Sequence, residues 1–434
     1  MKIIHIASEF APIAKVGGLG DVVYGLAKQQ KKEGDSVKII LPHYKSIDAS
    51  LLAHYKEKEG YCTAEYEKIP LILLGSYDQI YGGNEIERFA SFCKQALNHI
   101  DEDAIVHLHD WPVSMLAPLL KNKVVLSIHN FHHQGICKPD QVKDLNLPID
   151  QIQCPKTPDC VNLLKCGLIY SDAIVAVSPR YAQEILTPTE GDGLEGVLAK
   201  HKHKLFGVLN GIDTEYWNPT TDPFLMYAYD MSNLKVGKES NRSHIYHELK
   251  MDRPSSPLVC SITRLVPQKG LDMIERALTF TLENGGNFML LGSSSDPHIQ
   301  NHFQLLAKKH AGPNLYCHFI FDEKLAHMVY AASDMIVIPS IFEPCGLTQM
   351  IAMRYGTVPI VRNTGGLADT VIDTINGFTF DEPTTEACQN ALTRAFDAYG
   401  NHPTEWAALI EKGMSAHYGW NQSALEYRKI YTQC

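Results

Sequence analysis

The chain opens with MKIIHIASEFAPIAKVGGLGDVV (residues 1–23), in which a short apolar run is followed by a glycine turn. The run KIIHIA indicates a buried strand, because a strand covered on both faces is apolar throughout rather than alternating. The turn KVGGLG then opens a helical pattern. A strand, a glycine turn and a helix in this order predict the start of an open α/β sheet.

The same alternation of apolar runs and longer mixed segments continues through the chain in two series. After the first strand, the first series predicts strands at 36–42, 104–109, 124–129, 173–178 and 205–211. The second series predicts strands at 258–264, 288–293, 316–321, 335–340, 358–363 and 377–380. We therefore predict two doubly wound α/β domains, with ligands bound by the loops at the carboxyl ends of the strands.

A polar segment separates the two series. It covers residues 220–257, begins with NPTTDP and ends with DRPSSP, and is predicted to be a linker and the start of the second domain. The N-terminal domain is accordingly expected at 1–219 and the C-terminal domain at 258–418. The helix-like tail 419–434 is expected to join the N-terminal domain. A chain of 434 residues is too long for one ordinary hydrophobic core.

The composition is that of a globular protein, with 45% hydrophobic and 20% charged residues. The net charge of −10 argues against a nucleic-acid partner, which would require a dense basic surface. No apolar run suits a membrane span and no signal-peptide pattern opens the chain, so we expect a cytoplasmic protein. The 11 cysteines include no C-x-x-C pair, and even the evenly spaced Cys154, Cys160 and Cys166 are interpreted as packing thiols. The oligomeric state stays open.

The glycine turn does not match a dinucleotide-binding fingerprint. That motif requires G-x-G-x-x-G/A, whereas Gly18 and Gly20 are followed by Val23 at the position that needs a small residue. Bare backbone N–H groups at Gly17 and Gly18 would instead form an anion site at a helix start, to which Lys15 adds positive charge. An ordinary tight turn is the alternative.

The second domain supplies a cationic turn directly after its first strand. In SITRLVPQKG, Arg264 and Lys269 flank a proline-bearing turn. Two cations so placed could hold a diphosphate without a metal ion, and we expect no cofactor. Solvated surface charge is the alternative.

Two further loops of the second domain combine glycines with a carboxylate. In PSIFEPCGLTQ, residues 346–348 would expose N–H groups at a helix start, where a phosphate could bind. Glu343 would be repelled by that phosphate and is expected to face a sugar, although a carboxylate favoured by the helix dipole is the alternative. In NTGGLADT, Gly365 and Gly366 form another turn suited to backbone hydrogen bonds.

In the first domain, HLHDWP and SIHNFHHQG each follow a strand and are rich in histidine. The histidines do not have the spacing of a zinc site, so we predict no metal, although His107 and His109 must face the same side of their strand. Asp110 and Trp111 suit a carbohydrate, because an aromatic face and a carboxylate complement its apolar face and hydroxyls. A core tryptophan is the alternative.

Together these loops resemble those of bacterial glycogen synthases and plant starch synthases, which are retaining glucosyltransferases of the GT-B fold. The resemblance follows the family's order through KVGGLGDVV, HDW, SIHN…QG, NGID, TRLVPQKG, EPCGLTQM and TGGLADTV. It implies two Rossmann-like doubly wound domains facing across a cleft. It also implies metal-independent transfer of glucose from ADP-glucose, or alternatively UDP-glucose, to the non-reducing end of glycogen or another α-1,4-glucan.

The resemblance also assigns roles to individual residues. The catalytic set that it implies is Glu343, His129, Arg264, Lys269 and Lys15. The donor-binding set adds Gly17, Gly18, Asn210, Phe321, Cys345, Gly346, Leu347, Thr348, Gly365 and Gly366. The acceptor side is Asp110 and Trp111. Phe321 falls where many relatives stack a tyrosine on the base, and it leaves the choice between ADP and UDP open.

Two rival functions remain at this point. One is a GT-B transferase for another sugar nucleotide, against which Ile351 argues, because the broader transferases carry a second glutamate there. The other is a glucan-binding protein without turnover, against which the intact cationic residues argue. The sequence also leaves open whether retention uses a covalent intermediate on Glu343 or same-face attack.

Overall fold

The computed structural model describes residues 1–252, 255–320 and 322–433. The chain separates into two compact units, Met1–Gly211 with Gly419–Cys434, and Ile212–Tyr418. The first domain was predicted to extend to residue 219, so the two divisions differ over residues 212–219. These residues are held within the second unit. The Ile212 N–H donates to the Tyr418 carbonyl at 2.8 Å, and Trp217 stacks on His327 with ring centroids 4.0 Å apart.

The first unit is built on a nine-stranded sheet. The described strands of this unit are β1 (Lys2–Ile6), β2 (Ser36–Tyr44), β3 (Ala53–Lys58), β4 (Tyr61–Tyr66), β5 (Ile69–Tyr77), β6 (Ile105–His109), β7 (Val124–Ile128), β8 (Ile136–Cys137), β9 (Val161–Asn162), β10 (Ala173–Ala176) and β11 (Leu205–Gly207). The order across the sheet is β11-β10-β7-β6-β1-β2-β5-β4-β3, while β8 and β9 pair separately. The strands from β11 to β5 run parallel, and β4 and β3 continue the sheet antiparallel.

Helices connect the strands of this sheet. They are α1 (Gly18–Lys32), α2 (Glu85–Ala96), α3 (Trp111–Ser114), α4 (Leu163–Tyr170), α5 (Pro179–Glu184), α6 (Pro188–Gly191) and α7 (Glu195–Lys200). Helix α1 buries Leu19, Val23 and Ala27 on one core cluster and Val22 and Leu26 on another. Its two buried stripes follow the 3.6-residue period.

The second unit has a six-stranded parallel sheet in the order β14-β13-β12-β15-β16-β17. These strands are β12 (Leu258–Ile262), β13 (Asn287–Leu291), β14 (Leu315–His318), β15 (Met335–Ile338), β16 (Val358–Arg362) and β17 (Phe378–Phe380). The helices are α8 (Leu234–Leu249), α9 (Leu271–Glu283), α10 (Pro297–Lys309), α11 (Glu323–Ala332), α12 (Thr348–Arg354), α13 (Gly365–Thr370), α14 (Thr385–Asn401) and α15 (Pro403–Ser415).

The C-terminal helix α16 (Trp420–Gln433) belongs to the first unit. Trp420, Tyr427 and Tyr431 lie in a core cluster with residues of α1 and β7. Helix α1 approaches Trp420 so closely that a Cβ added at Gly25 would lie 2.0 Å from the indole nitrogen. A glycine at this position therefore lets the two helices pack.

Every strand predicted from an apolar run is present, but five strands (β3, β4, β5, β8 and β9) and helix α8 were missed. Strands β3 and β4 are largely exposed or half-buried, so they lack an apolar run, and β5 pairs with β4 to complete the hairpin region. Helix α8 lies inside the predicted linker. It is anchored by polar contacts rather than an apolar stripe, because buried Arg242 pairs with Asp334 at 2.5 Å. The neighbouring Lys238 donates to the Tyr355 carbonyl at 2.9 Å.

Each sheet has a point where the chain order reverses direction. In the first unit this point lies between β1 and β6, and in the second between β12 and β15. In open parallel sheets a crevice forms at the carboxyl ends of the two strands that flank such a point, and ligands bind there. The loops that follow these four strands carry most of the residues singled out from the sequence. Among the described residues, each helix is too short or too polar to cross a membrane.

Candidate active site

The glycine turn after β1 contains its own ion pair. Lys15 Nζ lies 2.8 Å from Asp21 Oδ1, and each side chain is about one third exposed, at 34% and 35%. Helix α1 begins at Gly18 with Gly17 as its N-cap residue. A Cβ added at Gly17 or Gly18 would meet no atom within 4 Å, so the backbone here is open to a ligand.

A buried carboxylate that the sequence analysis missed occupies part of this turn. Glu9 accepts the N–H groups of Val16 at 2.7 Å and Gly17 at 2.9 Å, and it also accepts the Tyr81 hydroxyl at 2.7 Å. The expectation of bare N–H groups is therefore wrong for Gly17, whose N–H is already bonded. Glu9 follows β1 at the reversal point of the sheet, and that position was the signal that could have identified it.

The loop after β6 places Asp110 beneath the loop after β7. Asp110 has a φ of +62° and is 7% exposed, and its Oδ1 accepts the His129 N–H at 2.6 Å. Burial raises the pKa of Asp110 to about 7. The carboxylate thus fixes the backbone that carries His129.

Trp111 is a core residue. It is 6% exposed and packs edge-to-face on Phe89 with ring centroids 5.4 Å apart. A Cβ added at Gly135 would lie 2.3 Å from the indole ring. The expected open aromatic platform for a carbohydrate is therefore wrong, and the core alternative is correct at this position.

His129 is half-buried, and its Nε2 lies 3.0 Å from Nδ1 of His109. Desolvation lowers the pKa of His129 to about 3, so the ring is neutral at pH 7. Asn210 in the same unit is 4% exposed, and its Oδ1 has no hydrogen-bond partner among the described residues. Buried polar atoms are almost always paired, so this oxygen is a candidate ligand contact.

Three histidines, His5, His107 and His109, form what we call the histidine cluster. Their nearest ring nitrogens lie within 4.8 Å of one another, and all three side chains are fully buried. Each ring nitrogen of these three histidines already has a hydrogen-bond partner. The prediction that His107 and His109 face the same side of β6 is correct, and in the structure their rings stack with centroids 4.3 Å apart.

In the second unit, the loops after β12 and β15 meet through an ion pair. Lys269 Nζ lies 2.5 Å from Glu343 Oε2, and the two side chains are 16% and 9% exposed. The Ser340 hydroxyl donates to the same oxygen at 2.7 Å. Arg264 in the same loop as Lys269 is exposed. Both cations predicted from the sequence therefore lie at the reversal point of this sheet, with Glu343 beside them.

Close backbone packing joins these loops to the glycine pair after β16. A Cβ added at Gly365, which has a φ of +44°, would lie 1.9 Å from the Glu343 carbonyl. One added at Gly366 would lie 2.2 Å from the Cys345 carbonyl. The Gly366 N–H donates to the Glu343 carbonyl at 3.1 Å. The glycines let the two loops touch and so fix the carboxylate.

The segment between Glu343 and α12 is ordered by one buried amide. Gln349 donates through Nε2 to the Gly346 carbonyl at 2.9 Å and to Thr370 Oγ1 at 3.1 Å. Cys345 is buried, whereas Leu347 and Thr348 are half-buried at the start of α12. Phe321 lies outside the described residues.

The structure thus groups the predicted residues into separate sets within each unit. Lys15 lies with the glycine turn, Asp110 with His129, and Lys269 with Glu343 and the two glycine loops. Besides Glu9, two further residues were given no role from the sequence: Asp21, which follows the turn KVGGLG, and Ser340, which lies two residues after β15.

Comparison with known proteins places these loops in a defined group. The family described as "Starch synthase catalytic domain" matches residues 2–200, and "Glycosyl transferases group 1" matches residues 250–409. A glycogen synthase of Protochlamydia amoebophila is 38% identical over 99% of this chain and 99% of its own length. A probable chloroplastic starch synthase 4 of Arabidopsis thaliana is 40% identical over 100% of this chain, which spans 47% of that protein.

The solved structures agree with this result. The catalytic domain of starch synthase IV from Arabidopsis thaliana, bound to ADP and acarbose, is 38% identical with a TM-score of 0.93. The match covers 99% of this chain and 98% of that one. Together with the two parallel-sheet units, it establishes the GT-B fold predicted from the sequence.

Proposed function

The chain belongs to the glycogen and starch synthase family of hexosyltransferases, and from that premise we propose that it extends an α-1,4-glucan with glucose from ADP-glucose. The configuration at the anomeric carbon is retained. The observation that supports this most strongly is the group at the reversal point of the second sheet, where Lys269, Arg264 and Glu343 lie on adjoining loops.

In this proposal, the two cations stabilise the leaving nucleoside diphosphate. Transfer breaks the bond from the anomeric carbon to the phosphate oxygen, and negative charge builds on the diphosphate as positive charge builds on the sugar ring. Preorganised cations lower the barrier where that charge develops. Arg264, which is exposed, and Lys269, on a short 3₁₀ turn after β12, serve this purpose. They supply the positive charge that a divalent metal would otherwise supply, so we propose metal-independent transfer.

Glu343 has two tasks in this proposal. It holds the Lys269 ammonium in place through their 2.5 Å contact. Its burial beside a glycine-lined loop also suits a contact with donor sugar hydroxyls. The close packing of Gly365 against the Glu343 backbone fixes the position of this residue in its loop. Residues 345–348, which lead into α12, are proposed to contact the sugar and phosphates.

The first unit contributes His129 and Asn210 in this proposal. The unpaired Asn210 Oδ1 is suited to accept a sugar hydroxyl, because a ligand would satisfy an oxygen that is otherwise buried without a partner. His129 is proposed to act as a neutral group near the anomeric carbon. Asp110 supports it indirectly, through the His129 backbone, rather than by contact with the acceptor. The role assigned to Lys15 and its glycine turn in donor binding stays a prediction.

The donor nucleotide is proposed to be ADP-glucose rather than UDP-glucose. The support comes from the related Arabidopsis catalytic domain, whose structure contains ADP. The purified chain should release ADP from ADP-glucose in the presence of glycogen and EDTA, at a rate that exceeds the UDP released from UDP-glucose.

Matched reactions distinguish the rival functions. Release of UDP that exceeds release of ADP would overturn the proposed donor and leave the proposed reaction in place. Nucleotide release that does not depend on glycogen would point to hydrolysis or another acceptor. No release from either donor, with glycogen still bound by the protein, would support a glucan-binding protein instead. Turnover that disappears with EDTA and returns with Mg²⁺ would contradict the proposed role of the fixed cations.

A further inference from the structure

A continuous chain of buried hydrogen bonds leads from His129 into the interior of the first unit. His129 Nε2 lies 3.0 Å from His109 Nδ1, and His109 Nε2 lies 3.0 Å from His5 Nδ1. His5 Nε2 in turn lies 2.7 Å from the amide oxygen of Gln30. The Gln30 side chain on α1 is 2% exposed. Four groups from three strand regions and one helix are thus connected in series.

The amide of Gln30 sets the direction in which the hydrogen bonds of this series are donated. An amide oxygen only accepts, so His5 Nε2 must carry the proton and His5 Nδ1 must accept. His109 Nε2 must then donate to His5, which makes His109 Nδ1 an acceptor. His129 Nε2 must donate to His109, and the Nδ1 of a neutral His129 is then an acceptor as well. Burial lowers the pKa of His5 to about 4, in keeping with neutral rings throughout.

The nitrogen of the same amide contacts the C-terminal helix. Gln30 Nε2 donates to the Tyr431 hydroxyl at 3.0 Å. That hydroxyl lies 2.8 Å from His107 Nδ1, and His107 Nε2 lies 2.7 Å from the Ser127 hydroxyl. Tyr431 can therefore accept from Gln30 and donate to His107. In this arrangement every histidine of the network carries its proton on Nε2.

We propose that Gln30 and Tyr431 are positioning residues, which act through His5 and His109 to fix the tautomer of His129 and present its Nδ1 as a hydrogen-bond acceptor. The inference rests on the proposed function, in which His129 faces a sugar. A neutral nitrogen with a lone pair there would accept a sugar hydroxyl, whereas the opposite tautomer would present a donor. The buried network selects the acceptor before any ligand binds.

The histidine cluster also has the composition of a metal site, but its hydrogen bonds argue against metal binding. A metal ion would have to displace hydrogen bonds, because both ring nitrogens of each of the three histidines are already used. Elemental analysis of the purified chain should therefore find less than stoichiometric zinc, copper or nickel. A tightly held ion at one per chain would overturn the proposal.

Nitrogen NMR on the chain labelled with ¹⁵N-histidine tests the tautomer directly. The His129 signals are identified by their loss in His129→Asn. The wild-type chain should show a protonated Nε2 and an unprotonated Nδ1 at His129 near neutral pH. A protonated Nδ1, or a charged ring, would overturn the proposal without any variant.

A pair of tyrosine variants on α16 tests the link to the helix. Tyr431→Phe removes the hydroxyl bonded to Gln30, whereas Tyr427→Phe removes one bonded to Ser127 at the far end of the network. Tyr431→Phe should shift the His129 signals towards a mixture of tautomers. It should also lower kcat by about 3- to 10-fold, which corresponds to the net free energy of one hydrogen bond. Tyr427→Phe should leave the His129 signals in place and change kcat by less than about 2-fold.

The outcomes separate this inference from the proposed function. Unchanged His129 signals in Tyr431→Phe, or equal shifts in both variants, would refute the link even if glucose transfer is normal. Gln30→Met provides the same test one step nearer to His129 if Tyr431→Phe does not fold. Failure of glucose transfer in the wild-type chain would refute the proposed function, and the NMR result would still report the tautomer.

Discussion

The buried ion pair between Lys269 and Glu343 permits a test that separates stability from catalysis. The two side chains are 16% and 9% exposed, with 2.5 Å between Nζ and Oε2. Replacing Lys269 by methionine keeps the length of the side chain but leaves the Glu343 carboxylate buried without its counter-charge. Breaking such a pair on one side typically costs about 3–5 kcal/mol of folding free energy.

The double variant Lys269→Met with Glu343→Gln removes both buried charges. Its stability should return to within about 1–2 kcal/mol of the wild type, because buried pairs are often neutral against uncharged replacements. Catalysis should behave differently. If Lys269 stabilises the leaving diphosphate, its loss costs about 3–4 kcal/mol of barrier, or 10²- to 10³-fold in kcat. Removing Glu343 as well cannot restore that charge.

The assay combines urea unfolding with steady-state kinetics for the wild type, both single variants and the double variant. The double variant should regain stability and remain at least about 10²-fold slower than the wild type in kcat. Ser340→Ala, which removes only the hydroxyl bonded to Glu343, serves as a control with an expected loss of about 1 kcal/mol. Recovery of activity in the double variant would show that Lys269 merely neutralises Glu343, and the leaving-group argument would be wrong.

Three further predictions follow from the packing and the buried groups. Gly365→Ala should cost about 2–4 kcal/mol of stability and most activity, because the added Cβ would clash with the Glu343 carbonyl. Gly400→Ala in α14 is the control, because the Cβ there has open space, and it should stabilise the protein by up to about 1 kcal/mol. Equal melting temperatures of the two variants would contradict this prediction. Asn210→Ala should leave stability within about 1 kcal/mol and lower kcat/KM by about 10-fold, and unchanged kinetics would remove Asn210 from the site. The three residues of the histidine cluster have pKa values lowered by burial, so they are neutral when folded but protonated when unfolded below about pH 6.5. Their contribution to stability should be complete above that pH and fall by up to about 4 kcal/mol per pH unit on acidification. His129, whose pKa is also lowered, adds about 1.4 kcal/mol per pH unit to this loss, and Asp110, whose pKa is raised, offsets about 1.4 kcal/mol per pH unit. Urea midpoints that stay constant from pH 7.5 to 5 would contradict it.

The sequence was sufficient for most strands that consist of a continuous apolar run, although β5, which contains the run LILL, was missed. Strands buried on both faces, such as β1 and β12, have no polar alternation, and their pattern identifies them directly. Helix α8 was not predicted, because its burial depends on the ion pair between Arg242 and Asp334, which is remote in sequence. Local pattern cannot predict a charge that is buried by a distant partner.

The candidate site was predictable where a residue type and its loop position coincide. Lys269 and Glu343 were identified because each follows a predicted strand. The structure adds that these two strands flank the reversal point of the sheet. Trp111 was misassigned because burial depends on Phe89 and on the absence of a Cβ at Gly135, neither of which is local. The role of Gln30 could not be predicted from the sequence either, because it depends on contacts with His5 and Tyr431, which lie on other elements.

The linkage formed in the product distinguishes α-1,4-glucan extension from every other transfer of glucose. The chain is incubated with ADP-[¹⁴C]glucose and a short α-1,4-glucan in EDTA, and the labelled product is analysed by NMR and by digestion with an exo-acting α-1,4-glucan hydrolase. The new residue should be joined by an α-1,4 bond at the non-reducing end and should be released by the hydrolase. A β-linked residue, a label at the reducing end or a labelled product that is not a glucan would contradict it.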